Sequence, residues 1–227
     1  MKYIVIGLGY FGSSLATNLT EQGHEVIGID HRNERVDELK DSISNVLIMD
    51  ATRPNAMKSL PLQEVDAVIV AIGEDIGSSI LILSILKRLN VKRIIGRAIT
   101  PIHRDILNEL GILEVIQPEE DSALLVASML HINGAIKVLG LNRKNAVAEI
   151  MIPEKYVGHS LESINMETRF QLKVIALKIY PTGSRIASFL KTDCKVEFEI
   201  DLARPLRATD VLVIGGETND IIKFIES

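Results

Sequence analysis

The chain has a single cysteine, Cys194, and no tryptophan. One thiol excludes an intrachain disulfide framework and a structural zinc site built from cysteines. That poverty fits a reducing compartment. Positive charge is also in short supply: 25 Lys and Arg face 30 Asp and Glu, for a net charge of −5. A general nucleic-acid surface needs clustered cations, so nucleic acid is not an expected partner. Long apolar runs are missing as well. The most hydrophobic helical stretch, 76–86, is far short of the ~20 residues that a bilayer requires. Met1 to Gly7 passes straight into a strand pattern, without the apolar core and small-residue cleavage site of a secretory leader. No short-period repeat or low-complexity tract interrupts the chain. A soluble protein is expected, one that can act at a membrane only by binding another protein that spans it.

What is present is ordinary globular material, 47% apolar and 24% charged over 227 residues. That length accommodates a domain of about 100–150 residues and a smaller second one. The first part alternates strand and helix signals, which predicts an α/β fold: a Rossmann-like, doubly wound parallel sheet. Strands are expected over 2–6, 25–29, 45–49, 67–72, 92–97 and 112–116, and helices over 11–22, 34–41, 76–89 and 102–110. Ala67 to Ile72 (AVIVAI) is apolar throughout, as suits a strand buried on both faces. Gly23 and Gly111 stand just past helices, at left-handed cap positions. The stretch SSILILSILKRL, 78–89, is apolar nearly all round. Such a helix is either covered by the fold or forms a subunit interface. A further amphipathic helix over 119–130 is opened by Pro118. The segment 132–144 holds Gly134, Gly140 and two asparagines and reads as a linker. Beyond it the alternation changes. Strands over 147–152, 172–180, 195–200 and 210–214, with short helices over 160–164 and 220–226, predict a small α+β domain. A domain of that size gains from pairing with a copy of itself. The expected division is 1–131 for the first domain with its trailing helix, 132–144 for the linker and 145–227 for the second domain.

The chemistry concentrates at the amino-terminal edge. Gly7-Leu8-Gly9-Tyr10-Phe11-Gly12 is a G-x-G-x-x-G motif, weak by itself. Here it directly follows an apolar strand and opens a helix, which is the context that gives it meaning. Gly7 permits the tight turn, Gly9 lets the backbone approach a diphosphate, and Gly12 lets helix and strand pack closely. The free N–H groups and positive dipole end of the helix then face the phosphates. Asp30 closes the second strand, 21 residues after Gly9. A carboxylate there can accept from both ribose hydroxyls and disfavours a 2′-phosphate, even with His31 and Arg32 beside it. Asp50-Ala51-Thr52, after the third strand, can meet an adenine ring. Ala71-Ile72-Gly73-Glu74-Asp75 follows the fourth strand, with Gly73 again allowing close backbone approach. Asp50 and Asp75 can alternatively serve as helix caps.

These segments carry a resemblance. GLGYFG, GID at 28–30, MDAT at 49–52, VIVAIGED at 68–75 and VIQPEED at 115–121 together resemble the RCK family, the regulators of potassium conductance, built of TrkA-N and TrkA-C domains. The second domain is similar to TrkA-C through IPEKYVGHSLESINM at 152–166, KVIALK at 173–178 and ATDVLVIGG at 208–216. The resemblance implies a cytoplasmic regulatory subunit of a bacterial Trk/Ktr-type potassium transporter or channel, held at the inner face of the plasma membrane through that transporter. It implies a homodimer, often four dimers in an octameric ring, whose shape and ion flux respond to ATP, ADP or NAD(H). Nucleotide contacts are then expected at Gly7, Gly9, Tyr10, Phe11, Gly12, Asp30, His31, Asp50, Ala51, Thr52, Ala71, Ile72, Gly73, Glu74 and Arg97. Ktr-type members usually carry Arg at the position of Tyr10, which leaves ADP or NAD(H) more open than ATP. Glu119 matches a glutamate that helps to hold a divalent or monovalent cation near the phosphates. The alternative for Glu119 is an acid at a helix N-terminus. The helix over 119–130 corresponds to the family's crossover helix, which packs on a neighbouring subunit. Arg169, Val174 and Ile175 fall where some members bind cyclic di-AMP.

The resemblance implies that the chain is not an enzyme. An NAD-dependent oxidoreductase is the rival reading, but it needs a proton-transferring side chain near the nicotinamide. None of the five histidines (His24, His31, His103, His131, His159) stands in such a context. A nucleotide sensor serving a different membrane transporter is the second rival.

Overall fold

The computed structural model describes residues 1–142, 144–180 and 194–227, in two compact units, Met1–Glu119 and Glu120–Ser227. The first unit runs β1 (Lys2–Ile6), α1 (Tyr10–Glu21), β2 (Glu25–Asp30), α2 (Asn33–Leu39), β3 (Asn45–Ile48), α3 (Pro54–Lys58), β4 (Ala67–Val70), α4 (Ile76–Arg88), β5 (Ile94–Arg97), α5 (Pro101–Glu109) and β6 (Glu114–Ile116). Its six strands are all parallel, in the order β3-β2-β1-β4-β5-β6. The chain winds outward from β1 to β3, then crosses back to lay β4 on the other side of β1. That reversal opens a crevice beyond the carboxyl ends of β1 and β4.

Both faces of this sheet are covered, and the alternation of side chains divides the core in two. Val5, Val26 and Ile69 pack with Leu8 and Ala16 in one cluster. Ile4, Ile6, Ile27, Ile29, Val68 and Val70 pack with Met57, Ile82, Leu83, Leu86 and Leu107 in the other. The apolar surplus of α4 belongs largely to this second cluster: Ser79, Ile82, Leu83, Ile85 and Leu86 are all buried within the chain. Of the two readings of that helix, coverage by the fold accounts for most of it. Met57 of α3, a short helix the sequence pattern had not suggested, and Leu107 of α5 pack into the same cluster.

Helix α6 (Pro118–His131) follows β6, and the units divide at its start rather than at 131. No residue of α6 is buried, while Met129, near its end, packs against the second unit's core. The expected linker 132–144 needs correction. It contains a strand, β7 (Ala135–Gly140), paired antiparallel with β8 (Asn145–Met151). Gly134, at φ +96°, turns the chain into that strand, so the glycines bracket an edge strand rather than mark free chain. Arg143, inside the same segment, lies outside the described residues.

The second unit continues with α7 (Leu161–Ile164), α8 (Met166–Phe170), β9 (Lys173–Ile179), β10 (Lys195–Glu197), β11 (Asp210–Glu217) and α9 (Thr218–Glu226). Its sheet is antiparallel, in the order β10-β9-β11-β8-β7. Leu161, Ile164, Met166, Ile221 and Phe224 from the helices meet Ala148, Ile150, Leu212 and Ile214 in the core. Asp210 is fully buried there but not unpaired: Arg204 donates to it at 2.9 and 3.2 Å, and the Arg207 N–H at 2.8 Å.

Candidate functional site

The turn between β1 and α1 is built by its glycines. Gly7 sits at φ +92°, a conformation that L side chains rarely adopt. Its N–H donates to the Ile29 carbonyl at 2.8 Å, which fastens the turn to β2. A Cβ at Gly12 would stand 1.9 Å from the Gly7 carbonyl oxygen, so α1 can approach the turn only because Gly12 has none. Around Gly9, by contrast, a Cβ would meet nothing within 4 Å. Gly9 is also the N-cap of α1, and no side chain caps the helix. The first N–H groups of α1 are thus left for a ligand, at the end where the helix dipole favours an anion.

This turn forms one wall of a crevice of about 900 Å³. That volume is in the range of small-molecule and cofactor sites. Every residue expected to contact a nucleotide lines it except Gly12, which acts from behind by letting helix and turn pack: Gly7, Gly9, Tyr10, Phe11, Asp30, His31, Asp50, Ala51, Thr52, Ala71, Ile72, Gly73, Glu74 and Arg97 are all on its walls. Glu119 joins them from the start of α6.

At one end lies Asp30, 4% exposed. Its Oδ2 accepts from the Leu8 N–H at 2.8 Å, and its Oδ1 from the Arg32 N–H at 3.0 Å. The Arg32 guanidinium adds Nε to Oδ1 at 3.0 Å and Nη2 to Oδ2 at 3.2 Å. Burial alone would raise this carboxyl, but the hydrogen bonds from Arg32 and the two N–H groups outweigh it and hold Asp30 below the usual range. The group is ionised, as a ribose acceptor must be. His31 is mostly solvent-facing, with Nδ1 3.6 Å from Asp30 Oδ1. Glu74 approaches Arg32 from across the crevice, at 3.9 Å.

At the other end Arg97, which ends β5, is anchored on three sides. Its Nη1 donates to the Ala71 carbonyl at 3.0 Å, its Nη2 pairs with Glu119, and its guanidinium lies 5.2 Å from the centre of the Phe11 ring. It also fills the space beside Gly73, where a Cβ would stand 2.9 Å from the guanidinium carbon. Burial works to raise Glu119, yet the hydrogen bond from Arg97 lowers it overall. Among the described residues, no group of three His, Cys, Asp or Glu converges to hold a metal ion.

The remaining carboxylates shape loops. Asp50 accepts from the Thr52 N–H at 3.0 Å and from its hydroxyl at 2.5 Å, and both interactions lower its pKa. Asp75 caps α4, accepting from the Ser78 N–H at 3.0 Å, as the capping alternative had it. Sequence reasoning missed Arg35, which does not line the crevice but backs the exposed Tyr10 ring, its guanidinium 5.6 Å from the ring centre. It also missed Ile99 and Met49, which add apolar wall. Arg35 comes from a different helix, and no motif spacing links it to the glycine turn.

In the second unit Arg169 is exposed on α8 over Phe170, and Val174 packs against the core on the same side of the sheet. Ile175 sits at a bulge and reaches the opposite side, beside Gly215 and Val147. A single chain therefore does not gather these three residues into one pocket.

Residues 3–118 match the TrkA-N domain. The chain belongs to the TrkA-N domain family. This TrkA-N protein is 31% identical over 224 residues to "Ktr system potassium uptake protein C" of Bacillus subtilis (strain 168), covering 98% of this chain and 95% of that one. It is 28% identical over 226 residues to "Ktr system potassium uptake protein A" of Vibrio alginolyticus, covering 100% and 97%. Among solved structures, the NAD(P)-binding domain of an exopolyphosphatase-related protein from Archaeoglobus fulgidus superposes with a TM-score of 0.51 at 30% identity. The match covers 57% of this chain and 96% of that domain. The GsuK channel bound to NAD shares the fold, with a TM-score of 0.62 at 14% identity over 99% of this chain and 38% of its own. Among the described residues, no helix is long and apolar enough to cross a membrane.

Proposed function

We propose that this TrkA-N protein is a cytoplasmic regulatory subunit of a Trk/Ktr-type potassium transporter, and that it binds an adenine nucleotide in the crevice at the β1/β4 switch point. Full-length similarity to potassium uptake proteins supports the first half. The observation that carries the second is one wall line: an uncapped helix N-terminus beyond Gly9, with an ionised, buried Asp30 beside it. The helix start suits phosphates and the carboxylate suits ribose hydroxyls. Arg97 stands at the phosphate end, and Ala51 with Ile72 and Met49 offers an apolar slot for a base.

Nucleotide binding regulates only if it discriminates between two shapes of the assembly. Helix α6 is the element suited to couple them. Leu124, Leu125, Val126 and Leu130 are exposed along it. A second copy of the chain covering these residues would form the dimer. Glu119, which pairs with Arg97 on the crevice wall, lies at the start of the same helix. A cation shared between Glu119 and the phosphates would have to take that carboxylate from Arg97.

All five histidines lie among the described residues, and only His31 lines the crevice, at the ribose end. The reading is non-enzymatic, and the relatives' names as potassium uptake proteins support it. Calorimetric titration with ADP, ATP and NADH tests the site, and potassium uptake by cells carrying transporter with wild-type or Asp30→Ala protein tests the role. Unchanged nucleotide affinity in Asp30→Ala overturns the site; transport indifferent to the protein's presence overturns the role.

A further inference from the structure

The Asp30 carboxylate is already fully used. Two backbone N–H groups, from Leu8 and Arg32, take one lone pair on each oxygen. The Arg32 side chain takes one more on each, through Nε and Nη2. A carboxylate offers about four such positions. The backbone donors belong to the fold and stay. The guanidinium does not have to stay, because it is 36% exposed and hangs from the N-cap position of α2. Its backbone carbonyl accepts the Val36 N–H, so the main chain can remain in place while the side chain turns. A second acceptor is near: Glu74, on the loop after β4, has its carboxylate 3.9 Å from Arg32 Nη1 and is otherwise solvent-facing.

We infer that Arg32 is a built-in competitor for the nucleotide's ribose, closing the site on Asp30 when no ligand is bound and moving to Glu74 when the ribose hydroxyls take the carboxylate. The inference rests on the adenosine reading of the crevice. Its physical content is an exchange. The two ribose O–H groups replace the two guanidinium N–H groups on the same two oxygens, and Arg32 recovers part of the lost ion pairing on the opposite wall. The nucleotide's apparent affinity is therefore set partly by a residue that the bound ligand does not need. A site closed in this way discriminates against ligands that bring phosphates but no cis-diol, because they cannot dislodge the guanidinium from Asp30.

The test is isothermal titration of the full chain with ADP and with 2′,3′-dideoxy-ADP, in wild type, Arg32→Ala, Arg32→Gln, Glu74→Gln and Asp30→Ala, each checked for an intact thermal transition. Arg32→Gln guards against a folding defect in the alanine variant, and both keep the two backbone donors that hold Asp30. Removal of an ion pair whose carboxylate is buried and whose guanidinium is 36% exposed is worth roughly a three- to tenfold tightening of ADP. The expected pattern is that gain for ADP in both Arg32 variants, no gain for the dideoxy analogue, and about twofold weaker ADP in Glu74→Gln. If ADP binds wild type, fails on Asp30→Ala, and is unchanged or weakened by both Arg32 variants, the competition is wrong while the site stands. Equal tightening of the dideoxy analogue also overturns it, because the ribose would then not be the competing group. If no ADP, ATP or NADH binds the wild type, or Asp30→Ala binds as well as wild type, the adenosine reading itself falls and takes the competition with it.

Discussion

The carbonyl oxygen of Gly7 lies 1.9 Å from the place a Cβ on Gly12 would occupy. The nearest atoms are backbone, so no side-chain rearrangement can make room. Gly12→Ala must therefore push α1 off the turn, at a cost of about 1–3 kcal/mol and with loss of nucleotide binding. Gly9→Ala meets open space and should lose less thermal stability than Gly12→Ala, its cost being that of a poorer N-cap, yet weaken binding because its methyl enters the crevice. Melting curves and titrations of the pair check this; similar melting temperatures for the two variants would count against the turn geometry.

Arg97 faces phosphates in the proposed complex, whereas Asp30 faces ribose. Arg97→Ala should weaken ADP about tenfold or more while leaving adenosine, which has no phosphate, nearly unaffected. Glu119→Gln keeps a hydrogen-bond acceptor for Arg97 and should be the milder change. Titration with both ligands separates the two ends of the crevice, and equal losses for ADP and adenosine would remove Arg97 from the phosphate end.

His103 is 1% exposed on α5, and neither ring nitrogen has a hydrogen-bond partner. Burial disfavours its charged form and lowers its pKa from the ordinary value of 6.5. The unfolded chain thus takes up a proton that the folded chain resists. Stability is unaffected by this group above the unfolded pKa and falls as the pH drops from about 6.5 toward the lowered value. His103→Leu should flatten the loss of melting temperature between pH 7.5 and 5, while the variant remains at least as stable at pH 7.5. An unaltered slope would mean that other groups carry the acid sensitivity.

The exposed apolar residues of α6 predict association. Val126→Glu with Leu130→Glu places charges on residues 53% and 77% exposed, so a single chain loses little stability. Light scattering should show the doubly substituted protein as a smaller species than wild type. If both have the same mass, α6 is not the dimer contact.

Asp210 is buried and receives three hydrogen bonds, two from Arg204 and one from the Arg207 N–H. Asp210→Ala leaves the Arg204 guanidinium, only 20% exposed, without its partner and should destabilise the second unit by about 3–5 kcal/mol. Denaturant unfolding measures it, and a cost below about 1 kcal/mol would show that water replaces the carboxylate freely.

Much of this architecture is legible in the amino-acid sequence alone. The alternation of apolar β-strands with helices dictates a parallel sheet, because side-chain periods of 2 and 3.6 can be read locally. The glycine turn and Asp30 were legible for the same reason: a backbone conformation and a strand end are properties of a few adjacent residues. Where local signals are weak, the sequence pattern is ambiguous. β7 resembles a linker in sequence because it is a short edge strand between Gly134 and Gly140, and its pairing partner β8 lies beyond residues 132–144. The apolar surplus of α4 cannot be assigned from its own residues, since what it packs against, the strands β4 and β5 and the helix α3, lies elsewhere in the chain.

The amino-acid sequence by itself determined the fold class, the place of the crevice and the residue types on its walls, all of them consequences of short-range pattern and chain order. Only the tertiary structure decided who holds whom: that Asp30 is filled by Arg32, that Arg97 is clasped by Ala71 and Glu119, and that Arg35 stands beside Tyr10. Hydrogen bonds and ion pairs depend on distances of a few ångströms between separate elements, and no spacing along a chain encodes those distances until packing brings the elements together.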